Sequence, residues 1–153
     1  MASWGFVIIA AQDKNSGVGQ TILDGANFLT AANGNSPSIF FHKLNVSQVG
    51  SFGHSQGATG AVNALIKSAG MIKTVLAIEL PGQQFCANPL NCTDTSHLTQ
   101  GSIFLVDGSL RHSDFAAYAA GISHPTAIYR RVLQRRARGR HQSERYADRP
   151  NAL

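Results

Sequence analysis

No stretch of the 153-residue chain stays apolar for the roughly 20 consecutive positions that a membrane-crossing helix requires. The opening Met1-Ala2-Ser3-Trp4-Gly5-Phe6-Val7 also lacks the basic start of a secretion signal, so the chain reads as soluble as written. Cysteine is scarce. Cys86 and Cys92 stand in Cys-Ala-Asn-Pro-Leu-Asn-Cys, with no Cys-x-x-Cys motif or close His pair beside them, which argues against a metal site. Two alternatives stay open for them: a disulfide across a loop containing Pro89, pointing to an oxidising compartment, or two ordinary thiols. Charged residues make up only 14% of the chain and hydrophobic ones 43%, which excludes a disordered polyelectrolyte and fits one globular domain. No internal repeat is present.

Arginine is missing before residue 111, and lysine is missing after Lys73. Four lysines against five acids leave residues 1–110 at −1, whereas nine arginines against three acids leave residues 111–153 at +6. One domain's surface chemistry does not explain such a switch. The chain therefore divides into a core, residues 1–110, and an Arg-rich, poorly ordered tail, residues 111–153.

Within the core, Gly5-Phe6-Val7-Ile8-Ile9-Ala10-Ala11 has the composition of a strand buried on both faces. Ile22, Ala26, Phe28, Leu29 and Ala32 follow at helical spacing, with an end near Gly34. Gln48 to Gly53 predicts a second strand, Gln56 to Ala69 a small-residue helix stopped by Gly70, Lys73 to Leu80 a third strand halted at Pro81-Gly82, and Ser102 to Asp107 a fourth. Strands alternating with helices imply an α/β fold with a mostly parallel sheet of about four strands.

Gly53-His54-Ser55-Gln56-Gly57 falls at the junction of the second strand and the following helix. Gly-x-Ser-x-Gly is a weak pattern alone, but this placement is what a nucleophile elbow requires. The sharp turn holds Ser55 in a strained backbone at the sheet's carboxyl edge, and side chains at Gly53 and Gly57 are expected to collide with their neighbours. The Gln56 N–H, at a helix N-terminus, would face the oxyanion of a tetrahedral intermediate.

Three segments carry a resemblance: Trp4-Gly5-Phe6-Val7-Ile8-Ile9-Ala10, Leu23-Asp24-Gly25-Ala26-Asn27-Phe28-Leu29, and Leu44 to Ala58 with the elbow inside it. Over about residues 3–110 the chain resembles the interior of the α/β-hydrolases, in the group of chlorophyllase-like enzymes and cutinase-like polyester hydrolases and lipases. The resemblance implies a serine esterase acting on small-molecule or polymeric esters. It makes Ser55 the nucleophile, gives Gln56 an oxyanion N–H, and makes His54 the residue before the nucleophile rather than the base. It requires no cofactor and no metal. Members of this group are often secreted.

The same resemblance shows departures. The family's earlier strands and its second oxyanion donor have no counterpart, and one strand normally separates those equivalent to residues 5–11 and 48–53. These two are expected to pair directly or to leave an open edge. The family's catalytic acid falls where Arg111 stands. Asp107 and Asp114 are the nearest acids, and His97, His112 and His124 the nearest bases, none in a recognisable motif. Read one base later, codons compatible with Leu110 to Phe115 can encode Leu-Asp-Ile-Pro-Ile-Ser, which restores an acid, so the tail is expected to derive from a frameshift. The function expected is ester hydrolysis at very low or no rate. The alternatives are a non-catalytic remnant, or a basic interaction protein whose Arg130, Arg131, Arg135, Arg136, Arg138 and Arg140 bind an anionic partner. Nucleic acid ranks below a solvated tail, because aromatics are few there, Phe115, Tyr118, Tyr129 and Tyr146, and no recognised reading module accompanies them. Trp4, Phe40, Phe41 and Phe85 are candidates for an acyl pocket. The triplets at Asn45 and Asn91 match a glycosylation pattern and carry no assignment.

Overall fold

The computed structural model describes the backbone of residues 1–108, 128–135 and 141–146, and side chains as far as Val106 except those of Gln83, Asn91 and His97. Arg111, His112, Asp114 and His124 lie outside the described residues, as does most of the expected tail. The chain forms α1 (Gln20–Gly34), β1 (Val49–His54), α2 (Gln56–Lys67), β2 (Ile72–Ile78) and β3 (Ser102–Gly108). β1, β2 and β3 pair in parallel in that order, with Gly53 opposite Ala77 and Ala77 opposite Leu105. This is an α/β arrangement, three parallel strands with flanking helices. Beyond Gly108 the backbone of β4 (Ile128–Arg135) continues parallel to β3, and β5 (His141–Tyr146) runs antiparallel to β4.

α2 brings the layers together because its inward positions are small. Ala58, Ala61, Val62, Ala64 and Leu65 are buried against Ile72, Val75, Ala77, Ile103 and Leu105, with Leu80 and Leu98 closing the cluster. Truncating a fully buried leucine such as Leu65 to alanine typically costs about 2–5 kcal/mol. Ser51, buried on β1, keeps its hydroxyl satisfied by donating to the Ala61 carbonyl at 3.1 Å. α1 rests against α2 and contributes Ile22 and Leu23 to the edge of the core.

The single-turn helix Ser16–Val18 docks on α2 through glycine. A Cβ on Gly60 would run into the Ser16 carbonyl, and one on Gly19 would sit 2.6 Å from the Gly60 carbonyl. Asn63 then donates both amide protons, to Gly17 O at 2.8 Å and to Cys92 O at 3.1 Å. Cys86 and Cys92 are joined as a disulfide, which settles the alternatives left open by their spacing.

The expected strand over Gly5–Ala11 does not form. Residues 6–12 have no regular structure and are exposed, with Phe6 at 64% and Ile9 at 44% accessibility. A strand is a property of a pair, and among the described residues β1 stands at the sheet edge with no neighbour on its outer side. Of the two outcomes expected there, the structure adopts the open edge. The segment instead lies along α1, where a Cβ on Gly25 would be 3.2 Å from Ile9. Its β-branched composition was suited to a sheet, but it pairs with no strand among the described residues.

Candidate functional site

The site grows from the end of β1. His54 is its last residue, α2 begins at Gln56, and Ser55 alone makes the turn, with φ 54° and ψ −123°. A non-glycine residue in this region carries strain of about 1–3 kcal/mol and persists only where its surroundings fix it. They do so here. The Ser55 N–H donates to Ile78 O of β2 at 2.9 Å, while the Ser55 carbonyl accepts from Ala58 N at 2.8 Å and Thr59 N at 3.2 Å. One residue is thus tied to both the neighbouring strand and the helix that follows.

Gly53 is dictated by this turn. A Cβ there would fall on the Gly57 carbonyl and lie 2.8 Å from the Ala58 nitrogen. Gly57 differs from expectation, since a Cβ on it would meet nothing within 4 Å. The crowding is one-sided: the Gly57 carbonyl is the obstacle to position 53, whereas the outward side of residue 57 faces open space.

Ser55 is exposed, and its hydroxyl and the His54 ring make no hydrogen bond among the described residues. The Gln56 N–H is also without an acceptor there, at the positive end of a 12-residue helix. Together Ser55 and His54 line an open cleft of about 440 Å³ whose other walls are Glu79, Pro81 and Phe85. An exposed serine hydroxyl and an open cleft therefore meet at the carboxyl edge of the sheet, next to an unengaged N–H donor, at the edge where open parallel sheets hold their ligands.

Of the aromatic residues expected to line an acyl pocket, Phe85 is on this cleft. Trp4 is 83% exposed, Phe41 stacks on His42 at 3.9 Å, and neither they nor the half-buried Phe40 borders the cleft. The backbone of His97 ends a single-turn helix, Thr95–His97, and that of Asp107 lies in β3, but their side chains lie outside the description.

Glu79 was not anticipated. It follows β2 as Ser55 follows β1, and its φ is 48°. The signal was present in Ala77-Ile78-Glu79-Leu80-Pro81: an acid closing a buried parallel strand beside the strand that ends at Ser55 is at the position where site residues gather. Among the described residues, no group of three or more His, Cys, Asp or Glu could hold a metal ion, and no helix is long and apolar enough to cross a membrane. No protein-family model and no curated protein matches the chain.

Proposed function

We propose that the chain derives from an α/β-hydrolase of the serine esterase and lipase type, and that Ser55 is a nucleophile toward carboxylic esters. The observation that carries this reading is the strained, exposed Ser55 between a parallel strand and a helix, beside the unengaged Gln56 N–H. Ser55 Oγ attacks the ester carbonyl, and the oxyanion faces the Gln56 N–H. Collapse expels the alcohol, and water then releases the acyl group. No cofactor takes part.

The expected rate is very low. A serine is a poor nucleophile without a positioned proton acceptor, and no such acceptor is hydrogen-bonded to Ser55 among the described residues. Removing one oxyanion donor costs on the order of 10²–10³ in rate, and Gln56 is the one unengaged donor identified at this turn. Hydrolysis of a short-chain p-nitrophenyl ester, measured beside Ser55→Ala and a buffer blank, tests the reading. Turnover above the blank that disappears in Ser55→Ala supports it, whereas equal rates from both folded proteins reject it.

A further inference from the structure

Ser55 and Glu79 occupy equivalent places on neighbouring strands. The Ser55 N–H donates to Ile78 O, and the Glu79 N–H donates to Val106 O at 2.8 Å, so each is the first residue past the carboxyl end of its own strand and is anchored to the next. They are two of four non-glycine residues with positive φ among those described, at 54° and 48°. Both face the same cleft, where, among the described residues, Glu79 is the one acid and His54 the one other titratable group. Glycine would relieve about 1–2 kcal/mol of strain at position 79, yet a half-buried carboxylate stands there. Strain of this kind collects at functional sites.

We infer that Glu79 is the proton acceptor of the Ser55 site. The inference rests on the reading of Ser55 as nucleophile. As the Oγ–carbon bond forms, the hydroxyl proton passes to the Glu79 carboxylate and the carbonyl electron pair moves onto the oxygen facing Gln56. When that pair returns, the bond to the alcohol oxygen breaks and Glu79 gives its proton to the departing alkoxide. In the second half a water proton passes to Glu79 as the water oxygen bonds to the acyl carbon. That proton returns to Ser55 Oγ as the acyl–serine bond breaks. Water is the only co-reactant, and Glu79 ends as the carboxylate it began as.

The measurement is the burst of p-nitrophenol from p-nitrophenyl acetate, with the acetylated protein followed by mass, for the full chain and its S55A, E79Q and E79G variants. S55A is expected to remove the burst, and E79Q and E79G to slow it by roughly 10²–10⁴-fold. Added formate restores part of the E79G rate and none of the S55A rate, while E79G melts at or above the wild-type temperature. A Ser55-dependent burst left unchanged by E79Q, or lost in E79G together with thermal stability and without formate rescue, overturns the role of Glu79 and leaves Ser55 standing. A wild-type burst that S55A retains, or no burst at all, overturns the Ser55 reading and this inference with it.

Discussion

At the scale of single residues, the two glycines of the elbow have unequal work. Position 53 has no room for a methyl group, because the Gly57 carbonyl already fills the space, and the obstacle is backbone that cannot turn aside. Gly53→Ala should therefore destabilise by about 3 kcal/mol or more, in the range of severe overpacking. Gly57 lies in the first turn of α2, faces open space and does not use positive φ. Gly57→Ala should be neutral or stabilise by up to about 1 kcal/mol, following helix propensity. Denaturant unfolding of the two variants checks both, and a comparable large loss from each would mean that the crowding is symmetric after all. The motif was legible in the sequence, but the asymmetry was not. Spacing places a glycine without saying which side of it is filled. The docking of Gly17, Gly19 and Gly60 was hidden for the same reason, since contacts between a turn and a helix some 40 residues later leave no periodic trace.

At the scale of elements, periodicity located α1, β1, α2, β2 and β3 to within a few residues. In each of them local pattern and tertiary setting agree: the small residues of α2 meet the β-branched residues of β2 and β3. The apolar segment at residues 5–11 went the other way, because strand composition cannot supply the neighbour a strand needs. Glu79 was overlooked because it was read as the tail of an apolar run rather than as the residue past its end. Between β2 and β3 the chain has only single helical turns, Gln83–Phe85, Pro89–Asn91 and Thr95–His97, and the disulfide starts just after the first and encloses the second. Closing so short a loop removes unfolded-state freedom worth about 2 kcal/mol. Replacing both cysteines by serine should lower stability by about that amount. Because Phe85 adjoins Cys86 and forms a wall of the cleft, the double variant should also weaken ester binding. Thermal melting and the KM of Ser55-dependent hydrolysis read these effects separately, and an unchanged melting temperature would show that the loop is held without the bond.

For the molecule as a whole, the decisive feature is a sheet with a bare side. Among the described residues β1 has a partner on one flank only, Phe52 on it is 49% exposed, and Val7, Ile8 and Ile9 are exposed as well. An open edge with apolar side chains is a template for pairing with another chain. The protein should self-associate as its concentration rises, and Phe52→Lys should shift light scattering toward smaller particles by setting a charge on that edge. Scattering that is independent of concentration, or unaltered by the substitution, would mean that the edge is protected in solution.

The bifurcated grip of Asn63 has a consequence for how the molecule opens. Its amide spans 46 residues backward to Gly17 and 29 forward to Cys92, so a single side chain on α2 fastens the strap before the sheet and the loop inside it. Releasing either strand of that clasp leaves a half-satisfied donor, which weakens the hold on the other. The two straps are therefore linked in their fluctuations, and the Ser55 cleft, whose floor begins the same helix and whose wall ends at the same loop, loosens as one cooperative unit rather than along separate seams.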